Sequence, residues 1–306
     1  MYNEELKQRY IKEKMATTTI NKFLLPNLFE KSRPFEERLN KDLCNFTTRE
    51  AENMLRTNDY ASLDSIVVAT SSYKLYVDWC IAQGLVTDSQ NHFNEFTWNR
   101  LATMINKEKV KLKVVSRDQL ISWCEQLPNP RNQFVLLAIF EGIGGNDYRE
   151  VWNIHRSDIN LDNCTIKIID KGEVPFSKKL CYYAINSAEE EYYYSMSAKM
   201  IKKVKFKESD LVIKEYPNSF RDTEYVKGRS IYSTAMRSFA YLDIDYLRPN
   251  DLRTSGMIYM INSEKERLGL TTDEYLQTHL TDVMTRYNIK ELKPSMVKLR
   301  YGNYLK

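Results

Sequence analysis

Histidine is nearly absent from this chain: His92, His155 and His279 are the only three among 306 residues. That shortage excludes much chemistry at the outset. No His-Glu-x-x-His motif occurs, and no Cys/His set has zinc-ligand spacing. The five cysteines (Cys44, Cys80, Cys124, Cys164, Cys181) are scattered, odd in number and form no Cys-x-x-Cys pair. Most fall in apolar patterns, so they are expected to be reduced core residues. Neither a metal nor any cofactor is expected. The phosphate-cradling Gly-x-x-x-x-Gly-Lys-Ser/Thr loop is missing, and Gly142-Ile143-Gly144-Gly145 lacks the preceding strand and the spacing of a dinucleotide fingerprint. The longest apolar runs, such as Phe134 to Phe140, are far too short to span a bilayer. The start, Met1-Tyr2-Asn3-Glu4-Glu5, carries no apolar signal core, so a cytoplasmic protein is expected. There is no internal repeat and no low-complexity tract.

What is present is a chain long enough for two domains with cores of their own, with 42% hydrophobic residues. Net charge is only +4, so composition does not imply nucleic acid. Distribution says more. Lys107, Lys109, Lys111, Lys113 and Arg117 stand against Glu108 alone. Lys290, Lys293, Lys298, Arg300 and Lys306 stand against Glu291 alone. Lys199, Lys202, Lys203, Lys205 and Lys207 form a third cluster. Any one cluster is most simply a solvated face. Three together, one of them at an expected domain linker, point to phosphate attraction with counterion release.

Pattern and capping signals give a coarse architecture. Residues 1 to about 40 read as a helical arm. Thr47 and Glu50 have capping-box spacing at a helix start. A helix is expected from Ser62 to Gln83 on the periodicity of Ile66, Val67, Ala69, Tyr73, Tyr76, Val77 and Cys80, closed by Gly84. Another is expected over Asn94 to Lys107. After the lysine-rich segment, Ser116 opens a helix, residues 132–141 form a buried one, and Gly142, Gly144 and Gly145 break it. A helix from Asn146 to Ile154 is expected next, then a turn, a strand at Cys164 to Ile169 and a reversal through Asp170-Lys171-Gly172-Glu173. A long helix is expected over Ser177 to Lys203, with Glu189-Glu190-Glu191 as an exposed face, and a short strand at Leu211 to Lys214. Helices near Ser230 to Phe239, Asp251 to Ser263 and Thr272 to Tyr287 complete the chain. The expected fold class is mainly α with a small antiparallel sheet, in two domains of residues 1–108 and 109–306.

The segment Leu252-Arg253-Thr254-Ser255-Gly256 places an arginine at the start of an apolar helix, and Tyr301 follows it by 48 residues in a basic tail. With the order of elements, this resembles the tyrosine recombinase (phage integrase) family over nearly the whole chain. Tyr76-Val77-Asp78-Trp79-Cys80 with Gly84-Leu85 is similar to the end of that family's DNA-clamping helical domain. Ile154-His155-Arg156-Ser157-Asp158-Ile159 is similar to its Leu-x-Trp-Ser-Asp-Ile turn. Lys171 matches the hairpin lysine that protonates the leaving 5′ oxygen, Pro249-Asn250-Asp251-Leu252-Arg253 matches a Pro-His-Asp-Leu-Arg box, and Leu299-Arg300-Tyr301 matches the nucleophile segment. The resemblance implies a two-domain clamp, a SAM-like core-binding domain followed by an integrase catalytic-type domain. Twenty-one tyrosines make one near the end unremarkable, and Tyr304 competes with Tyr301.

The departures decide what the resemblance implies. Attack by tyrosine on a phosphodiester builds charge on the non-bridging oxygens, which the family meets with two arginines and histidine-type donors. Losing one preorganised donor costs on the order of 10²–10³ in rate. Counted from Ser157-Asp158, the first-arginine position falls on Asp147. Arg149, two residues on, is expected to point elsewhere. Asn250 stands for the box histidine, and Glu291-Leu292 stand for the third box's Gly-His. His279, one turn earlier, is more simply packed or solvated. Arg253 by itself could be a structural partner of Asp251. The chain thus resembles the integrase-like lysogeny master repressors of SPbeta-type phages. This implies a prophage-encoded repressor that binds double-stranded operator DNA without cutting it, in a bacterial host. Arg253, Lys171 and Tyr301 would be vestiges, with Lys74, Lys111, Lys113, Lys171, Lys202, Arg253, Lys298 and Arg300 as DNA contacts. A regulatory phage protein or peptide is a further partner the resemblance leaves open. The alternative is an active, divergent recombinase with Tyr301 as nucleophile.

Overall fold

The computed structural model describes residues 1–17, 23–196, 202–217 and 223–306. The chain divides into two compact units, Met1–Lys111 and Leu112–Lys306; the boundary expected from sequence was 108/109. No helix among the described residues is long and apolar enough to cross a membrane.

The first unit is all helical: α1 (Glu4–Thr17), α2 (Leu24–Leu39), α3 (Thr48–Thr57), α4 (Leu63–Ala82), α5 (Trp98–Ala102) and α6 (Lys107–Leu112). The expected arm is therefore two discrete helices. The expected Asn94 to Lys107 helix is only the five-residue α5, started by Thr97, whose side chain accepts from the Arg100 amide. The Thr47–Glu50 capping box forms at α3 as its spacing predicts. Gly84 takes a left-handed φ of 67°, and the Leu85 amide returns to the Cys80 carbonyl at 3.0 Å, closing α4. Ile66, Ala69, Tyr73, Tyr76, Val77 and Cys80 of α4 are buried, and Tyr10, Phe29 and Tyr76 meet edge to face. Inside this unit lies a fully buried ion pair, Lys7 Nζ to Glu36 Oε2 at 2.5 Å. Glu36 also accepts from the Ser32 hydroxyl and the Leu43 amide. Burial raises the Glu36 carboxyl against the opposing pull of Lys7.

The second unit is built round α8 (Pro130–Phe140), whose residues Phe134 to Phe140 are all buried. A helix apolar on every side belongs at a core centre. Around it come α7 (Arg117–Gln126), the single-turn α9 (Arg149–Trp152), α10 (Lys178–Glu189), α11 (Glu224–Tyr241) and α12 (Pro249–Leu268). A meander of β1 (Ile159–Asn160), β2 (Thr165–Ile168) and β3 (Gly172–Pro175) is antiparallel throughout, with Ile168 opposite Gly172 across the turn. A ribbon of β4 (Tyr192–Tyr194) and β5 (Lys203–Lys205) follows α10. The chain ends with α13 (Thr272–Thr278), α14 (Leu280–Tyr287) and α15 (Pro294–Tyr301). Four cysteines are buried, Cys164 is half-buried, and all five are free thiols.

Several expectations are corrected here. The helix of residues 177–203 ends at Glu189, because Glu190 turns extended (φ −63°, ψ 123°) and the three tyrosines that follow suit a strand. Glu190 is thus not on an exposed helix face, and burial pushes its carboxyl up to about 7. Lys199 lies outside the described residues. The expected helix from Asn146 is a 3₁₀ turn plus the one-turn α9, with Asp147 and Tyr148 both left-handed. The Leu211 strand reduces to one bridge with His155. Thr272 to Tyr287 breaks at His279 into α13 and α14.

Candidate functional site

Arg253 lies in the second turn of α12. That helix sits very close to α8 because position 256 is glycine: a Cβ there would lie 1.6 Å from the Phe140 carbonyl oxygen. The same carbonyl accepts from the Tyr287 hydroxyl at 2.9 Å, which ties α14 to α8 beside Arg253. The Arg253 guanidinium donates from Nη2 to the carbonyls of Tyr287 and Asn288. It is not the partner of Asp251, which instead accepts from the Arg248 amide and lies 4.0 Å from Lys113. Burial depresses the Arg253 pKa, opposed by Tyr148, Glu150, Tyr287 and Tyr301 within electrostatic reach. Tyr301 thus contributes to the electrostatic environment of Arg253. The Tyr304 carbonyl accepts from Asn262.

A cavity of about 200 Å³ opens against Arg253. Its walls are the glycine turn of residues 142–145, Asp147, Tyr148, Pro249, Asn250 and Tyr287. Three positions singled out from sequence therefore line one space: Asp147, Asn250 and Arg253. The glycines are needed for this shape. Gly142 and Gly145 have left-handed φ, and a Cβ at Gly142 would press on Arg286. The Asp147 backbone is braced by Gly228, where a Cβ would lie 2.3 Å from the Asp147 carbonyl oxygen. Burial raises the Tyr148 phenol to about 12, so it faces the cavity as a neutral donor. Leu292 is elsewhere, half-buried with Tyr301 against the cluster of Met257, Ile261 and Val297.

Lys171 is not the solvated or phosphate-facing lysine that sequence led us to expect. Its ammonium turns inward, 2.8 Å from Glu150 Oε1 and 3.0 Å from the Arg286 carbonyl, with 13% of the side chain exposed. Burial lowers its pKa, against the support of Glu150. Glu150 is the hub that sequence reasoning missed. It takes the Gly144 amide at 2.9 Å and the Asn288 side chain at 3.0 Å besides Lys171. It therefore joins the glycine turn, the hairpin and the residue whose carbonyl holds Arg253. A lone carboxylate beside Val151 and Trp152 in an apolar pattern was the available signal. Arg286 was missed as well. It stacks on Phe176 with its guanidinium carbon 3.8 Å from the ring centroid and donates to the carbonyls of Glu141 and Pro175. Those partners are backbone groups more than a hundred residues away, so no local pattern reveals them.

The other expected contacts are dispersed. Lys74, Lys111 and Lys202 are exposed. Lys113 is near Asp251, Lys298 pairs with Asp273 at 2.6 Å, and Arg300 is half-buried. Arg149 reaches Asp170 at 3.7 Å and Glu224 at 3.9 Å. His279 stacks on Tyr275 and bonds Asp282, and His155 bonds Asp210. Among the described residues no His, Cys, Asp and Glu group has the arrangement of a metal site.

Residues 1–83 match the description "MrpR, N-terminal core-binding domain", and residues 114–304 match "MrpR, C-terminal catalytic domain". The chain belongs to the MrpR family. A similar protein is the SPbeta prophage-derived uncharacterized protein YopR of Bacillus subtilis (strain 168). It is 23% identical over 269 residues, covering 85% of this chain and 81% of YopR. Among solved structures, the Tn1549 transposon integrase in complex with transposon right end DNA has a TM-score of 0.51 at 10% identity, covering 98% of this chain and 94% of that one. A lambda integrase dimer bound to a COC′ core site has a TM-score of 0.47 at 14% identity, covering 99% and 95%. The Tn1549 likeness shows that this MrpR-family chain has the tyrosine-recombinase fold.

Proposed function

We propose that this chain is a sequence-specific duplex-DNA-binding repressor on an integrase fold, that it maintains lysogeny, and that it does not cleave DNA. The observation that carries the reading is the charge of the cavity at Arg253. Asp147, an acidic residue, lines the cavity beside Arg253, and Lys171 is already paired with Glu150. One arginine is enough to hold a backbone phosphate. It is not enough to stabilise a transition state normally met by several preorganised donors, each worth on the order of 10²–10³ in rate. An asparagine such as Asn250 can donate a hydrogen bond but cannot act as an acid. The prophage setting is supported by the likeness to the SPbeta prophage-derived YopR; repression and operator specificity rest on the resemblance read from the sequence, and cytoplasmic residence in the bacterial host belongs to the same reading.

The retention of Arg253 with a tyrosine, Tyr301, 48 residues later in a basic tail favours a second reading, an active divergent recombinase. Nicked suicide duplexes taken from bound genomic fragments separate the two. The repressor reading expects no covalent adduct and unchanged binding by Tyr301→Phe. A covalent adduct that disappears in Tyr301→Phe would overturn it. Genome-wide capture with the tagged protein adds a second criterion, many promoter-proximal sites against one attachment site.

A further inference from the structure

The ribbon of β4 and β5 has two unlike faces. Register pairs Tyr192 with Lys205, Tyr193 with Val204 and Tyr194 with Lys203. Side chains alternate across a strand, so Tyr193 and Val204 turn one way, and Tyr192, Tyr194, Lys203 and Lys205 turn the other. The inner face is anchored: Tyr193 is buried and packs edge to face on Phe206 and Tyr216, which lie against the buried Arg131 guanidinium. The outer edge of β4 is anchored too. Asn129, fully buried at the start of α8, donates to the Tyr194 carbonyl at 2.9 Å and accepts its amide at 2.7 Å. The ribbon is thus fixed to the central helix of its unit.

Its outer face is basic and aromatic. The Lys203 ammonium lies 3.8 Å from the Tyr192 ring centroid and 5.8 Å from that of Tyr194, and Lys202, Lys203 and Lys205 are exposed. Among the described residues none of these three lysines forms an ion pair, whereas Lys207, just beyond, is taken by Glu215. Rings under an ammonium restrict it without cancelling its charge. A two-stranded ribbon is also narrow enough to lie along a duplex groove.

We propose that this face of the β4–β5 ribbon is an accessory DNA-contact surface, in which Lys202, Lys203 and Lys205 neutralise backbone phosphates outside the Arg253 cavity. The proposal rests on the DNA-binding reading above and adds a surface to it. The contacts carry no sequence information and contribute affinity through counterion release.

The test is a salt titration of full-length protein on a labelled linear duplex of arbitrary sequence, by anisotropy. The triple variant Lys202→Gln/Lys203→Gln/Lys205→Gln should bind more weakly near 0.15 M salt, by about 5-fold for each lysine replaced, and its slope of log K against log salt should shrink by about 2–3. Lys179→Gln, which removes a lysine already paired with Glu125, should leave the slope unchanged. Lys202, Lys203 and Lys205 are exposed and Lys179 is half-buried, and a thermal melt confirms that each variant is folded. An unchanged slope and affinity in the triple variant, with wild type binding normally, overturns the ribbon proposal alone and leaves a protein as the partner of that face. Absence of salt-dependent binding by wild type overturns the DNA-binding reading and the ribbon proposal with it.

Discussion

At the scale of single residues, position in the sequence was a better guide than residue type. Arg253 was legible because leucine, arginine, threonine, serine and glycine followed Pro249 in register, and the structure places it at a cavity with Asp147 and Asn250. Lys171 was legible as a position but not as an environment. Whether a turn lysine faces solvent depends on a carboxylate twenty-one residues earlier, and the only local mark of Glu150 was its place beside apolar Val151 and Trp152. The consequence is measurable. Lys171→Met should cost about 2–3 kcal/mol in urea denaturation, because it leaves the buried Glu150 carboxylate short of a partner. A loss within about 0.5 kcal/mol, as for a solvated lysine, would contradict the inward placement. Glu190 gives a pH dependence. Its pKa rises from 4.5 to about 7, chiefly through burial, with Arg131 and Lys214 opposing. An acid whose folded pKa is raised holds its proton more tightly in the folded state. Its contribution is therefore complete below about 4.5 and lost progressively as pH rises to about 7, about 3 kcal/mol at most. Glu190→Gln should flatten the fall in stability of the second unit between those pH values, measured by chemical denaturation at each pH.

At the scale of elements, helices defined by caps and long periodicity were legible, and short irregular pieces were not. Thr47, Ser116 and the apolar run of α8 form as their local signals require. The long helix over residues 177–203 failed because three glutamates mimic an exposed helical face, while burial of Glu190 and the β-preference of three tyrosines favour a strand. Tyr148 in left-handed conformation could not be foreseen from propensity, since such backbone is costly for a bulky residue, whereas Asp147 tolerates it more readily; the closely packed Gly228 supplies the room beside Asp147. Glycine has a second structural use at position 256. Gly256→Ala would force α12 from α8, since the obstructing atom is a backbone carbonyl that cannot rotate away. The expected loss is at least about 3 kcal/mol, read as a large drop in Tm. A drop of a degree or two would mean that the two helices do not pack this closely.

At the scale of the whole molecule, the family membership and the fold follow from features spread over both units, while the chemistry follows from a handful of positions in one of them. Sequence conveyed the first because order and spacing of elements survive substitution. It conveyed the second only as a set of departures, since what replaces a missing donor depends on packing. Each unit has a core of its own: the aromatic cluster around α4 in the first, and the α8-centred core in the second. Residues 1–111 and 112–306, produced separately, should therefore each melt cooperatively. If both contribute to one DNA contact, as the two-domain clamp implied by the family resemblance expects, joining them raises affinity without any new contact, because binding of one unit sets a high effective concentration for the other. Full-length protein should then bind its captured genomic fragments about 10²–10⁴-fold more tightly than either piece, compared by anisotropy at one salt concentration. A 112–306 fragment that binds as tightly as the whole chain would mean that the first unit adds nothing to DNA recognition, and a two-unit reading of this protein would have to be abandoned.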